Sequence, residues 1–403
     1  MEKHQSVSFF FDNSYYKVTK YLNEITGQWP YQSKKKKLFY LNISFIAILF
    51  QMISQSSAAV HWHNNKDIMI AAVSPNFFDL ISLIKLINNI HYTPKIRKIL
   101  DCIRKDWITI INDEEKQILH RYAYIGKIIA IGYSGLGYIA CFFFIVDPPL
   151  TYFYNTMLVP NHSLPETKLY TLPMYFNECD VGIYYFLALF MDYFDTLSLT
   201  TVITCNDILF VVIVQHICGQ FTILGCRIRK CLSSKSNLTD QYKLIKDCVI
   251  THTELIKLSE QVESVYNSCF LLIVGLNVLL LNLTVVQIII SPKLIQTVFK
   301  FSIYILIQVL HMCFLCTMSQ QLINHSLQLS ESIYKAMWYT KSLKIQKNMY
   351  AHDSTISSTL STNCWKNDTT FTREFCKDSE NYGIISSCFS IYGLKKRLSQ
   401  KQD

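Results

Sequence analysis

The sequence predicts an all-α integral membrane protein, built as a bundle of about six to seven membrane-spanning helices. Half of its 403 residues are hydrophobic, only 17% are charged, and the mean hydropathy is positive. Apolar stretches of spanning length recur along the chain, and Lys and Arg collect in alternate connections between them. This combination differs from that of a soluble two-domain enzyme.

Six apolar stretches are long enough, at about 20 residues, to cross the hydrocarbon layer as helices. We predict spans at about 38–60, 68–88, 128–146, 181–204, 264–290 and 301–319. The resulting divisions are a cytosolic N-terminal segment (1–37), a transmembrane domain (38–319), a cytosolic anchor helix (320–347) and a polar, disordered tail (348–403). In the third span, Gly132, Gly135 and Gly137 favour close contact between helices.

The fourth span has no evident end. Only Cys205, Asn206 and Asp207 separate it from a further apolar stretch at 208–226, and no Pro or Gly marks a hairpin there. We interpret 181–226 as one long helix whose second half leaves the bilayer and is buried by protein. A separate span over 208–226 remains the alternative.

The segment after residue 319 changes from uncharged to amphipathic. It contains no Pro or Gly as far as Lys347, and Leu322, Leu329 and Ile333 fall near one helical face. This pattern predicts a helix that continues below the membrane and packs on partners.

Orientation follows from the basic residues in the connections. The N-terminal segment, the connection 94–122 and the connection 227–263 each contain seven Lys or Arg. The intervening connections 61–67 and 148–180 contain one each. The N-terminus is therefore predicted to be cytosolic, which is opposite to the topology of a G-protein-coupled receptor. The long loop 148–180 is then external, and its sequon at Asn161 is a candidate glycosylation site.

No catalytic or cofactor motif is present. The chain lacks a Walker loop, a dinucleotide fingerprint, HExxH and GxSxG. Its Cys residues are scattered through apolar spans and indicate small buried side chains rather than disulfides or metal ligands. The pair His61 and His63 lies in a polar connection, where a solvated loop is favoured over a metal site. We therefore expect neither enzymatic activity nor a cofactor.

Short motifs in a fixed order then give a family resemblance. They are Thr26–Pro30 (TGQWP), Asp106–Trp107, Glu114–Glu115, Tyr122–Ala123, Pro173–Asp180, Tyr184–Tyr185, Asp207–Phe210, His216–Phe221, Leu224–Arg227, Cys313, Gln320–Leu322, Ser326, Tyr334, Trp338–Tyr339 and Gln346–Lys347. Taken together over 26–347, they resemble the insect odorant receptor family, especially its hymenopteran-type branches.

The resemblance implies both an architecture and a partner. Members of this family have seven membrane helices and assemble as heterotetramers with an odorant co-receptor, forming a non-selective cation channel that volatile ligands gate. The parts of the helices below the membrane form a cytosolic anchor bundle. The implied location is the plasma membrane of an olfactory sensory neuron dendrite, and neither a G protein nor nucleic acid is an expected partner.

The resemblance also places a ligand site among the outer halves of the second to sixth helices. Matching aromatic and small residues here are Phe77, Phe78, Tyr133, Ser134, Gly137, Tyr138, Phe186, Phe190 and Met191. Asp192 and Asp195 join this set because carboxylates inside a span are costly and normally face a wet cavity or a partner. A salt bridge to Lys or Arg, or a position near the membrane interface, is the alternative for these two. If they face the ligand, an amine or another hydrogen-bond donor is favoured.

A second set of residues is expected to pack the anchor and the contacts between subunits. It comprises His216, Cys218, Gly219, Gln220, Gln321, Tyr334, Trp338 and Tyr339. Gly219 would let a neighbouring helix approach, and the large aromatic residues would supply buried area.

The chain departs from the family pattern after Lys347. The family continues into a pore-lining helix, whereas 348–403 is rich in Ser, Thr, Asn and charge and contains no stretch of spanning length. A genuine isoform and an error of gene structure both remain open. For the sequence as it stands, we expect a subunit that folds and pairs but does not conduct. A gustatory-type chemoreceptor is the alternative family, and a transporter or membrane enzyme is disfavoured because internal repeats are absent.

Overall fold

The computed structural model describes residues 10–153, 183–233, 238–290 and 295–335. This part of the chain is all helical and contains no strand, which confirms the predicted fold class. We number its helices α1 to α7. Their bounds are Lys17–Ile25, Lys34–His61, Lys66–Thr109, Asp113–Phe153, Ile183–Ser233, Leu238–Ile290 and Ile295–Lys335.

Six of these helices, α2 to α7, are long and apolar enough to cross a membrane. The longest far exceed a bilayer: at 1.5 Å per residue, the 51 residues of α5 extend about 75 Å, against about 30 Å of hydrocarbon. Helix α5 runs without interruption through Cys205–Asp207. The chain is therefore a multi-pass membrane protein whose helices continue beyond the bilayer.

The described residues form two compact units. The first contains the chain as far as Cys226 together with His252–His325, and the second contains Arg227–Thr251 and the chain from Ser326. In the second unit, Cys231, Leu232 and Cys248 are buried. All further contacts described below lie within the first unit.

A turn between α1 and α2 attaches the N-terminal segment to the bundle. Gly27 has a φ of 71°, and a Cβ there would lie 2.7 Å from the backbone nitrogen of Leu41. This left-handed conformation and close approach require glycine. The following Trp29 is 1% exposed, and its ring packs edge-on to Phe11 with centroids 5.4 Å apart. The Gly-x-Trp-Pro sequence is therefore a structural element that fastens the N-terminus.

Two tyrosines extend this attachment to α3. Trp107 donates an indole hydrogen bond of 2.8 Å to the Tyr16 hydroxyl, and Tyr31 donates one of 2.7 Å to Asp101. Burial raises the pKa of Tyr31, and the neighbouring Asp101 carboxylate raises it further. Both phenols are consequently neutral hydrogen-bonding groups at physiological pH.

Contacts between side chains fix how α2, α3 and α5 run against one another. Lys37 bonds Thr93 near one end of the α2–α3 pair at 3.2 Å, and Ser56 bonds Asn76 near the other end at 3.4 Å. These two helices are therefore antiparallel. Helix α5 runs parallel to α3, because Leu86 packs with Val202 and, one turn later, Asn89 donates to Asn206 at 3.1 Å.

The predicted glycine contact holds for one of the three residues in α4. A Cβ on Gly137 would meet Thr204 of α5 at 3.3 Å. For Gly132 and Gly135 the prediction is wrong, since no atom of the described chain would lie within 4 Å of a Cβ there. Gly132 is exposed and Gly135 is partly exposed, on the same side of α4 as Leu136, so neither contacts a helix among the described residues.

Candidate functional site

A buried ion pair joins α3 to α5. The Lys85 ammonium lies 2.6 Å from one oxygen of Asp207 and 2.8 Å from the other. The two side chains are only 2% and 1% exposed. Removing two charges from water costs several kcal/mol each, so such a pair persists only with close contact and further hydrogen bonds.

Helices α4 and α7 supply those further bonds. The Tyr133 hydroxyl donates to Asp207 at 2.7 Å, and the His311 Nε2 lies 3.3 Å from the same carboxylate. The Tyr133 ring also stacks on Phe314 with centroids 4.1 Å apart. We call Lys85, Tyr133, Asp207 and His311 the lysine network. It connects four helices through one fully partnered carboxylate.

A second polar region lies on the same helices, farther toward the α2–α3 turn. An apolar cluster between these helices contains Ile48 of α2, Leu86 of α3 and Val202 of α5. Two helical turns, or seven residues, from each of these along the same face come Gln55, Asp79 and Asp195. The three helices therefore bring these side chains to one level of the bundle.

The bonds between α2 and α3 support this register. With Ser56 bonded to Asn76 and the two helices antiparallel, Gln55 lies level with Asp79, and Gln51 lies level with Ser82. We call Gln51, Gln55, Asp79, Ser82 and Asp195 the carboxylate layer. The carboxylates of Asp79 and Asp195 are close enough to interact electrostatically.

The carboxylate layer is buried and largely unpartnered. Its exposed fractions are Gln51 2%, Gln55 0%, Asp79 1%, Ser82 0% and Asp195 1%. Both oxygens of Asp195 and both polar atoms of the Gln55 amide have no hydrogen-bond partner in the described part of the chain. Asp79, Ser82 and Gln51 each have one such atom. Buried polar groups in native proteins are nearly always bonded to protein, water or a ligand.

An aromatic wall stands beside Asp79. Tyr304 of α7 packs edge-on to Phe78 of α3 with ring centroids 5.0 Å apart, and to Phe144 of α4 at 5.6 Å. Tyr304 also interacts electrostatically with Asp79. Apolar rings beside a few convergent polar groups are the usual composition of a small-molecule site.

The other predicted ligand residues have mixed surroundings. The Tyr138 hydroxyl bonds Thr201 at 3.1 Å, and the Ser134 hydroxyl donates to the Ala130 carbonyl of its own helix at 2.7 Å. Phe190 is 64% exposed and faces away from the described bundle. Phe77 and Met191 are partly buried, and the side chain of Phe186 lies outside the described residues.

Both predicted aspartates of α5 are buried. Asp192 is 0% exposed, and it interacts electrostatically with Asp195 one turn later. The alternative of a pair with Lys or Arg does not hold for Asp195 among the described residues, where neither of its oxygens has a partner.

The predicted anchor residues lie in closely packed surroundings. The His216 Nε2 is 2.8 Å from Asp106, and a Cβ on Gly219 would meet Tyr122 at 3.2 Å. Gln321 accepts a hydrogen bond of 2.6 Å from Gln215. Cys218 is 0% and Gln220 is 7% exposed.

Several predictions lie outside the described residues. They concern Asn161, Trp338, Tyr339, the tail 348–403 and the side chain of Tyr334. No metal site is found among the described residues, since no group of three or more His, Cys, Asp or Glu side chains is arranged to hold a metal ion. The His63 imidazole instead contacts the Val60 carbonyl at 3.0 Å.

Sequence reasoning missed Lys85 and His311 and gave Asp79 no role in a site. Lys85 lies near the end of the predicted span 68–88, where a lysine side chain usually extends toward the membrane surface. One signal could have found Lys85. A lysine within one apolar helix and an aspartate within another, here Asp207, are expected to pair with each other when both are buried.

Both the sequence and the fold of the chain are similar to those of known proteins. Residues 67–351 match the family model described as 7tm Odorant receptor. The fold is similar to that of the insect olfactory receptor OR5 from Machilis hrabei in complex with eugenol, with a TM-score of 0.71, 14% identity, and coverage of 85% of this chain and 88% of that one. A further OR5 structure gives a TM-score of 0.70, 15% identity, and coverage of 92% and 96%. No curated protein sequence matches the chain significantly.

Proposed function

Because this chain belongs to the 7tm odorant receptor family, we propose that it is an odorant receptor subunit that binds small volatile ligands within its helical bundle. With an odorant co-receptor, it gates a non-selective cation channel in the plasma membrane of a sensory neuron dendrite. The observation that carries this proposal is the family match over 67–351, which covers all the helices from α3 to α7.

The ligand region that we propose is the aromatic wall together with the carboxylate layer. Phe78, Phe144 and Tyr304 come from three different helices, so a ligand against these rings contacts α3, α4 and α7 at once. One related receptor has been solved with eugenol, an aromatic volatile. The rings of this chain suit an aromatic volatile of that kind.

Helix α7 is the element that we propose to carry the ligand signal. Tyr304 lies at the ligand region, and His311, two turns later, contacts Asp207 in the lysine network. Farther along the same helix, His325 is bonded to the Tyr122 hydroxyl at 2.8 Å. A shift of α7 on ligand binding would therefore reach both the lysine network and the anchor region.

The experiment is ligand-evoked current from the full-length chain, expressed with and without an odorant co-receptor in cells that contain neither. A conducting subunit predicts that eugenol-class volatiles evoke a cation current only in the co-expressing cells. Current from the chain alone would favour the gustatory-type alternative, in which subunits form homomeric channels.

A non-conducting subunit is the second candidate, favoured by the polar sequence of 348–403. In that case the same cells bind the volatile and assemble the complex, but they give no current. Absence of both volatile binding and co-assembly would contradict the proposed function altogether.

A further inference from the structure

We propose that the carboxylate layer binds the ammonium group of a small protonated amine, whose apolar part lies against the aromatic wall. This inference rests on the proposed function and specifies its ligand class. It assigns the charged end of the ligand to Asp79, Asp195, Gln51 and Gln55.

The first argument is charge. Asp79 and Asp195 place two buried acidic side chains on neighbouring helices at one level of the bundle. Neither forms an ion pair with a basic residue of the described chain, and the nearby Lys85 is already bonded to Asp207. Buried charges in proteins are paired, and a carboxylate pair is best paired with a cation.

The second argument is hydrogen bonding. The unpartnered atoms include both Asp195 oxygens, one Asp79 oxygen and the amide oxygens of Gln51 and Gln55. Five acceptors from α2, α3 and α5 therefore lie within about one helical turn of one another along the bundle. An ammonium group carries three donors and no acceptor, so it complements this set. The acceptors of Gln51 and Gln55 come from a different helix than either acid.

The third argument is the aromatic wall. Tyr304 interacts with Asp79 and packs against Phe78 and Phe144. A cation beside aromatic faces gains further electrostatic attraction, and the rings also exclude water from the apolar part of a ligand. A bare metal ion would not use the rings, and no metal-holding group of side chains is present among the described residues.

The test compares two probes of nearly equal shape, 2-phenylethylamine and its neutral counterpart 2-phenylethanol. Each is added to the purified full-length chain, and its affinity is measured from the rise in melting temperature. We expect the amine to bind roughly 10-fold or more tightly than the alcohol, because only the amine pairs with buried carboxylates.

Three variants sharpen this comparison. Asp195→Asn and Asp79→Asn should each weaken amine binding roughly 10- to 100-fold while leaving binding of the alcohol nearly unchanged. The matched control is Asp113→Asn, whose side chain is 91% exposed at the start of α4. It should bind both probes as the unmodified chain does.

Each outcome is decisive. Retained binding of the alcohol shows that a variant is folded, and if one variant fails to fold, the other and the unmodified chain still report the amine preference. Equal affinity for the two probes would overturn the amine inference and leave the proposed function intact. Binding of neither probe, nor of eugenol, would overturn both.

Discussion

The lysine network and the carboxylate layer both include residues of α3 and α5 and both bury acidic side chains, but the surroundings of those acids are opposite. In the lysine network, the single carboxylate of Asp207 contacts Lys85, Tyr133 and His311. In the carboxylate layer, Asp195 has no bonded partner for either oxygen among the described residues. The difference separates a buried charge that holds helices together from one that is left available for a ligand.

The energetic consequence follows from desolvation. A buried ion pair contributes little net stability when intact, but removing one partner leaves an uncompensated charge and is strongly destabilising. A buried acidic group without a partner instead carries the cost of missing hydrogen bonds in the ligand-free state. Substitutions in the two regions should therefore change stability in different directions.

The largest effect is expected for Lys85→Ala. It leaves Asp207 charged and buried without its ammonium partner, which costs about 3–5 kcal/mol of folding free energy. The melting temperature of the purified chain measures this loss. The double variant Lys85→Met, Asp207→Asn removes both charges and should recover much of it, and a double variant no more stable than Lys85→Ala would contradict the ion-pair account.

A smaller loss is expected for Tyr133→Phe. The phenylalanine keeps the stack on Phe314 but loses the hydrogen bond to Asp207, which is worth about 1.5–3 kcal/mol because its acceptor is charged. Tyr138→Phe is the matched control, since its hydroxyl bonds only the neutral Thr201. Equal losses in the two variants would show that Asp207 draws no special support from Tyr133.

The smallest effect is expected for Gln55→Leu, in the carboxylate layer. Both polar atoms of the Gln55 amide are buried and unpartnered, so an apolar side chain of similar size should change ligand-free stability by about 1 kcal/mol or less, toward greater stability. Amine binding should weaken at the same time. A marked loss of stability would mean that the amide is a structural group.

The sequence determines much of the fold and part of this contrast. The six spans could be predicted because each is a long apolar run, and the match over 67–351 confirms the family that the motifs indicated. Asp195 was recognised because a carboxylate within such a run is conspicuous. Which helices lie side by side is not encoded in periodicity, so the approach of Asp79 to Asp195 emerges only from the structure.

Two further residues also show that the sequence does not reveal which helices are neighbours. Tyr133 is a predicted ligand residue, and the bond from its hydroxyl to Asp207 could not be predicted, because an aromatic residue in a span gives no indication of which neighbour it will meet. Gln55 gave no signal at all, since a single amide in an apolar helix is compatible with lipid, protein or water. Gln55 lies at the same height in the bundle as Asp79 only because of the antiparallel register of α2 and α3.

The most direct measurement is a side-by-side melting experiment on Asp207→Asn and Asp195→Asn in the purified, ligand-free chain. The two substitutions are chemically identical and lie on one helix. We expect Asp207→Asn to lower the melting temperature strongly, because it leaves Lys85 unpaired. Asp195→Asn should raise it by about 2 °C, the shift that roughly 1 kcal/mol produces in a chain of more than 150 residues. Comparable losses in both variants would contradict the separation of structural and ligand-facing charge.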